Sequence, residues 1–530
     1  MKILTKKLLF VFVSLFLLSF SAGTNAQTSG NVVFNGTQVY RIDLEFTQAN
    51  FFDSLIFYYN QGLETNMFAK VTLTGTQGVV SMDTIGVRMK GNSTFSHPNN
   101  KKPFKVTFDE YDDDKLWDGM KSITLNNCYL DPTFMREKMH LDFCRDAGII
   151  APRCSYANLY INGVLYGLYS MVESVDKKFL KSRFGNSNGN SFKAVDAFTN
   201  SIFSDLKWYG TTQASYANRY ELKTNEEENN WTDLLQLIDT INLSTTTETG
   251  LPTKMNLPTY YKQLAADIIM GNYDSYVGSG RNYYLYDVNV SGRFDWIAWD
   301  ASLSFGAYPG GVSNPETSSL TYVSSSTNRP LVAKVYAVPS FKAAYLSSLC
   351  ALAKTYFTSA RLNPKIDSIA TLIRPYVTAD TKKQYTLAQF ETGLISDQTL
   401  SGRRLPGLKA YITSRATSIT SQLNTLGVTC ETAITSNEPN FVSTSYSLAQ
   451  NFPNPFNPIT KIQFNLPKAS NVKLTVFDAV GKEVSVLLGE NMEAGVHSAI
   501  WDGMNFSSGV YYYRLETGDF TETRKMILMK

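Results

Sequence analysis

Histidine is scarce in this chain, with three residues in 530 (His97, His140 and His497), and only five cysteines accompany them. No Cys-x-x-Cys pair occurs, so a structural zinc site with its tetrahedral sulfur and nitrogen ligands is not expected. An excess of one charge is also missing: 49 Lys and Arg balance 46 Asp and Glu, leaving a formal charge of +3. That balance provides no electrostatic footprint for nucleic acid, and no nucleic-acid partner is expected. Long apolar runs are confined to the amino terminus, where Leu8 to Phe20 follows Lys2, Lys6 and Lys7 and precedes Thr24-Asn25-Ala26. This is the pattern of a secretory signal over residues 1–26, and the run is short for a bilayer span. A retained amino-terminal anchor is the alternative. No cysteine follows the expected cleavage point, so a lipid anchor is unsupported. The mature chain is expected to lie outside the cytoplasm without a transmembrane helix.

What is present is an ample core. Hydrophobic residues make up 43% and aromatics 13% of the chain, which argues against disorder and for two or three domains. The 31 Tyr and 32 Phe suit many strands and exposed aromatic ledges. An odd cysteine count leaves at least one thiol unpaired or paired between chains. Cys144 and Cys154 are close enough in sequence to approach each other, and the pairing stays open. After the signal, residues 31–430 read as one mixed globular region. Residues 431–445 are polar and aperiodic, as a linker is, and residues 446–530 read as all-β.

Period-two alternation marks Ile85 to Lys90 and Phe104 to Phe108 as half-buried strands joined through a Gly91-Asn92-Ser93 turn. Asp131-Pro132-Thr133 starts an amphipathic helix that carries Met135, Met139 and Phe143 and ends near Gly148. A hairpin joins Tyr156–Ile161 to Leu165–Val172 through Asn162-Gly163, a strong turn pair. Beyond about residue 175 helices dominate, over 231–241, 260–270, 340–358, 364–376 and 405–426.

The richest stretch runs from Asn272 to Gly306. Asp274 precedes Asn282 by eight residues, and strands at 283–286 and 294–299, turned at Ser291-Gly292, deliver Asp300. A carboxylate, a carboxamide and a second carboxylate around one hairpin suit phosphoryl transfer. One Asp orients or deprotonates the acceptor hydroxyl, while Asn and the second Asp hold the metal that neutralises phosphate charge. An ordinary hairpin with polar ends is the alternative, since Asp and Asn favour turns anyway.

Six blocks in order, over roughly residues 38–428, resemble the spore-coat protein H (CotH) kinase-like family. They are Arg88-Met89-Lys90-Gly91-Asn92-Ser93-Thr94; Lys101-Lys102-Pro103-Phe104-Lys105-Val106; Asp131-Pro132-Thr133 with Met135-Arg136-Glu137-Lys138; Leu159 to Gly163 with Gly167-Leu168-Tyr169 and Glu173; Asn282 to Tyr286; and Trp299-Asp300 with Ser304-Phe305-Gly306. The resemblance implies an α+β, two-lobed atypical protein-kinase-like domain, with a β-rich lobe over about 31–175 and a helical lobe over about 176–430. It also implies ATP with Mg²⁺ or Mn²⁺, and phosphorylation of Ser or Thr on an acceptor protein. Carried over, Asp274 takes the catalytic-loop role, and Asn282 and Asp300 the metal. Lys105 reaches the ATP phosphates, fixed by Glu137, with Arg88 and Lys90 as rival phosphate contacts. Glu173 contacts the nucleotide or bridges the lobes. One departure stands out: the family often reads Trp-Asp-x-Asp, where this chain has Trp299-Asp300-Ala301-Ser302. A Gly-rich loop of the usual kinase spacing is also missing, and Gly91 to Ser93 is the nearest substitute as an anion nest.

The tail resembles the C-terminal sorting domain of the type IX (Por) secretion system, a small seven-stranded β-sandwich. Its marks are Asn451-Phe452-Pro453-Asn454-Pro455-Phe456-Asn457-Pro458, Trp501-Asp502-Gly503, Ser508-Gly509-Val510-Tyr511-Tyr512 and the closing Lys525 to Lys530. The resemblance implies an encounter of residues 446–530 with the type IX machinery, and a secreted or outer-membrane surface location. Two further readings stay open: a nucleotide-binding pseudokinase acting through surface contacts, prompted by Ser302, and an adhesive or carbohydrate-binding protein, prompted by the tyrosines.

Overall fold

Alternating apolar residues close the first part of the chain into a barrel. Its strands are β1 (Val39–Glu45), β2 (Met67–Gly75), β3 (Gly78–Met89), β4 (Phe104–Thr107), β5 (Ser122–Asn126), β6 (Cys154–Ile161) and β7 (Val164–Glu173). The order around the barrel is β1-β2-β3-β4-β5-β7-β6. Six junctions are antiparallel and the closing one, β1 on β6, is parallel. Ile42, Val71, Ile85, Val87, Val106 and Leu159 fill the interior. The computed structural model describes residues 29–430 except 98, 196–202, 289–291 and 401, and residues 446–529 except 449, 452, 453, 455, 457, 493 and 494. The signal, the linker, Ser291 of the hairpin turn and Lys530 lie outside the described residues.

Both expected strands are found, as the end of β3 and as β4. Arg88 pairs with Lys105 and Met89 with Phe104. Because side chains alternate across a strand, Arg88, Lys90 and Lys105 share the face opposite the buried Val87 and Val106. The β6–β7 hairpin turns through Asn162 and Gly163 at φ of +47° and +77°, the positive values that a two-residue turn demands. Helix α1 (Phe51–Asn60) connects β1 to β2, and α2 (Arg136–Asp146) follows β5. The start of α2 is set by Asp131, whose Oδ1 accepts from Thr133 N and Oδ2 from Arg136 N, both at 2.9 Å.

The remainder of the larger region is mainly helical, with long helices at Thr232–Leu243, Leu257–Ile269, Pro339–Thr355, Ser359–Ala379 and Leu408–Thr425. Ser359–Ala379 runs unbroken through Pro364 and Pro375, longer than the 364–376 expected. Among these helices lies a second antiparallel sheet, ordered β11-β10-β8-β9. It contains β8 (Ser191–Ala194), β9 (Tyr220–Leu222), β10 (Tyr283–Val288) and β11 (Arg293–Ala298). The tyrosines depart from expectation. Tyr156, Tyr169, Tyr260, Tyr276, Tyr283 and Tyr345 are among the largest fully buried side chains, so much of the aromatic content fills the core rather than forming ledges.

The cysteine pairing also differs from the pair that proximity in sequence suggests. Cys350 and Cys430, 80 residues apart, form a disulfide. Cys144 and Cys154 are buried thiols, held in the same apolar core. The described residues of 446–529 are all-β, with three strands in one sheet and four in another. Leu474, Val476, Phe464, Tyr513, Leu515 and Trp501 share its core. Trp501 packs against Phe456 and Tyr511 at centroid distances of 5.4 and 5.1 Å, a structural role. Among the described residues no single helix is long and apolar enough to cross a membrane.

Candidate active site

The open end of the β10–β11 hairpin brings the sequence-predicted polar residues together. Tyr283 pairs with Ala298, so Asn282, just before β10, and Asp300, just after β11, emerge near each other. Both adopt left-handed backbone, with φ of +63° at Asn282 and +45° at Asp300. Residues with a Cβ hold that conformation only where surrounding contacts impose it, and such positions cluster at functional sites. Asn282 Nδ2 donates to the Asp274 backbone oxygen at 2.7 Å and to its Oδ2 at 3.3 Å. Ser302 Oγ donates to Asp300 Oδ1 at 2.7 Å.

The barrel supplies the other lining. Lys90 leaves the end of β3 and donates from Nζ to Asn126 Oδ1 at 2.9 Å. Asn126 Nδ2 in turn donates to Glu137 Oε1 and Oε2 at 2.9 and 3.0 Å. Burial pushes the Glu137 carboxyl up to about 7, and the Asp300 charge pushes the same way against Asn126 and Lys90. Burial lowers the Lys90 pKa, and Asp300 and Glu137 oppose that shift. A lysine, two carboxylates and a bridging amide therefore act as one electrostatic unit.

Lys105 stands outside that unit. Burial lowers its pKa, Arg88 and Lys223 add to the effect, and Glu64 and Asp176 oppose it. The lysine that the structure links to Glu137, through Asn126, is Lys90 rather than the expected Lys105. The reason lies in register: Lys105 faces Thr124 on β5, two residues short of Asn126, which is the residue nearest α2.

Arg88, Lys90, Lys105, Glu137, Asp274, Asn282 and Asp300 all line one cleft of about 400 Å³, a size suited to a small-molecule site. Gly91 to Thr94 border it as well. Gly91 has φ of +83°, and a Cβ there would lie 2.1 Å from Thr94 Oγ1, so a larger residue would strain this turn. Glu173 is not brought to the cleft. Its carboxylate accepts from Arg153 Nε and Arg183 Nη2, both at 2.9 Å. It bridges the barrel to the helix Lys177–Phe184 instead of facing a nucleotide.

Three supporting residues escaped the sequence reading. Asn126 has no signature beyond its place at a strand end. Arg136, fully buried, donates to Ser304 O and Phe305 O at 3.2 Å and to Pro406 O at 2.6 Å, holding the loop that follows Asp300. Lys101 is fully buried and pairs with Asp380 at 2.5 Å. Asp380 also accepts from Leu168 N at 3.0 Å, so this pair ties the 91–103 loop and β7 to the end of the helix Ser359–Ala379. Nothing local distinguishes Lys101 from a solvated lysine.

Among the described residues no group of three His, Cys, Asp or Glu side chains forms a ready cation cage. The donors present nevertheless fit Mg²⁺ or Mn²⁺. Asp300 is a hard oxygen ligand, and Asn282, with Nδ2 committed to Asp274, has its amide oxygen left as acceptor. Small hard cations complete such partial shells with phosphate oxygens and water.

Residues 87–419 match the family model described as CotH kinase protein, and residues 450–529 match the secretion system C-terminal sorting domain. The inner spore coat protein H of Bacillus subtilis (strain 168) is 30% identical over 294 residues, covering 55% of this chain and 77% of that protein. A solved structure of the twitchin kinase region from C.elegans (Fn31-NL-kin-CRD-Ig26) covers 88% of this chain and 73% of its own at 8% identity; its TM-score of 0.15 is too low to bear on the fold. The sorting tail supports secretion and cell-surface localisation and implies an interaction with the type IX secretion machinery. With one family model spanning the cleft from β3 to the last helix and a second covering the tail, the chain belongs to the CotH kinase family and ends in a secretion sorting domain.

Proposed function

We propose that this protein is a cell-surface protein kinase that transfers the γ-phosphate of ATP to Ser or Thr of a partner protein. The observation that supports this reading best is the convergence, in one cleft, of Lys90, Asn126 and Glu137 with Asp274, Asn282 and Asp300. In this reading the chain is two-lobed: the barrel with α2 binds the nucleotide, and the helical part carries the catalytic loop. Lys90 holds the inner phosphates, with Asp300 and Glu137 opposing the loss of its charge on burial. Arg88 and Lys105, farther along the same face, take more distant anionic groups. Gly91 allows the backbone to approach the phosphates closely. Asp274 accepts the proton of the acceptor hydroxyl as that oxygen bonds to the γ-phosphorus. The bond from the γ-phosphorus to the β,γ-bridging oxygen breaks, and ADP leaves. Asn282 keeps the Asp274 carboxylate in place. Asp300 and Asn282 would hold Mg²⁺ or Mn²⁺, which would supply neutralisation of the phosphate charge.

The test is incubation of the full chain with γ-labelled ATP and either metal, with and without a Ser-rich acceptor, beside Asp274→Ala and Asp300→Ala. Metal-dependent label lost in both variants is the expected result. Absence of label with both metals overturns the reading.

Ser302 favours a second reading, a nucleotide-binding pseudokinase that acts through surface contacts. It lines the cleft where the family pattern has a second carboxylate, and a neutral hydroxyl bridges two cations less well. Nucleotide binding without label identifies that case.

A further inference from the structure

Beneath the catalytic loop lies a buried polar cluster that the proposed chemistry does not use. Asp267, in the last turn of the helix Leu257–Ile269, is 5% exposed, and His140 on α2 is fully buried. Asp267 Oδ1 accepts from Asn272 Nδ2 at 2.9 Å and lies 3.6 Å from His140 Nε2. The polar side chains of Gln263 and Ser275 lie beside this carboxylate. Asn272 N donates to Asp267 O at 2.8 Å, and Ser275 Oγ donates to Asn272 O at 2.7 Å. One carboxylate thereby gathers the residues on both sides of Tyr273-Asp274. His140 follows Glu137 by three residues, about one turn of α2, and neither of its ring nitrogens has a hydrogen-bond partner among the described residues.

We propose that Asp267 is a positioning residue for the catalytic loop, with His140 as the hydrogen-bond acceptor for its protonated form. The proposal rests on the phosphotransfer reading of Asp274. An ionised carboxylate only accepts hydrogen bonds, and so holds Asn272 Nδ2, while the Asn272 backbone oxygen in turn holds Ser275. Once protonated, one of its oxygens becomes a donor. Burial pushes the Asp267 carboxyl up to about 7, against the polar side chains of Gln263, Asn272 and Ser275. Burial lowers His140 to about 3, so its imidazole is neutral near pH 7 and can accept a hydrogen bond at Nε2. The other ionisable groups facing this carboxylate are Cys144 on α2 and Tyr260 on its own helix, and burial pushes both up, leaving them neutral. The charge on Asp267 is therefore the local variable. Above its pKa the carboxylate holds the loop; below it, the proton turns toward His140 and the loop loosens. Global stability runs the other way. A carboxyl raised from 3.8 to about 7 favours the fold below 3.8, and that contribution is lost as pH rises through about 7.

The test is hydrogen exchange of the amides of residues 270–282 in the full chain, corrected for the intrinsic pH dependence of exchange. Loop protection is expected to fall about tenfold between about pH 8 and about pH 6 in the wild type. Asp267→Asn should show low protection at both ends, with kcat reduced and KM for ATP unchanged. His140→Ala should move the midpoint of the step downward. Flat loop protection in the wild type overturns the proposal, even if Asp267→Asn fails to fold. A midpoint unmoved in His140→Ala overturns the role of His140. A loop step without any phosphotransfer supports the positioning role and overturns the kinase reading alone.

Discussion

The two linings of the cleft hold their polar residues by different means. On the barrel side, Arg88, Lys90 and Lys105 project from a sheet whose other face is anchored by Val87 and Val106. Their spacing follows from strand geometry, and Lys90 alone is linked further, through Asn126 to Glu137. On the loop side, Asn282 and Asp300 stand at positive φ. They are held one contact at a time, by Asp274, by Ser302 and by the carbonyl clamp of Arg136. A sheet positions by repetition and tolerates single changes. A strained loop positions by specific partners and does not.

The most severe way to test that contrast is on the loop side. Asp274→Asn is expected to reduce label transfer about 10²–10⁴-fold with little change in thermal stability, read as initial rates beside melting curves. Next comes the pair that holds the two sides in register. Lys101→Met strands the fully buried Asp380 carboxylate, and chemical denaturation is expected to show a loss of about 3–5 kcal/mol. On the barrel side the comparison is between two lysines. Lys90→Met should weaken nucleotide binding about tenfold, and Lys105→Met only about twofold to threefold, as measured by fluorescence titration. Equal effects would remove the distinction drawn between them.

Glu137 supplies a smaller, pH-dependent effect. Its carboxyl is raised from 4.5 to about 7, so its contribution to stability is present below 4.5 and lost as pH rises through about 7. The unfolding free energy of the wild type should therefore fall across that window by about 1–2 kcal/mol more than that of Glu137→Gln. The smallest expected effect is a gain. Ser302→Asp returns the second carboxylate, and the rate at low Mg²⁺ should rise about threefold.

Much of the fold was legible because its signals are local. Alternation exposed the end of β3 and β4, Asn162-Gly163 announced the β6–β7 hairpin, and the runs either side of Ser291-Gly292 marked β10 and β11. The closing of the barrel was not legible. It depends on β1 pairing in parallel with β6, as in Val39 with Tyr156, and nothing near either strand announces the other. The candidate site divided in the same way. Asp274, Asn282 and Asp300 stood out because one hairpin carries them. Lys90 could not be preferred to Lys105 on sequence, since the choice turns on how far β3 and β5 extend toward α2. Glu173 was withdrawn from the cleft by Arg153, a residue 20 positions earlier.

By itself the sequence determined the kinds of element, the hairpin that carries the candidate catalytic set, the family and the sorting tail. These rest on periodicity, turn chemistry and ordered motifs, all written within short stretches of chain. Only the tertiary structure decided which lysine meets Glu137, that Lys101 is buried against Asp380 and that Cys350 joins Cys430. Such partners are far apart in sequence. A charge or a thiol has no local property that reveals whom it will face once the core has closed around it.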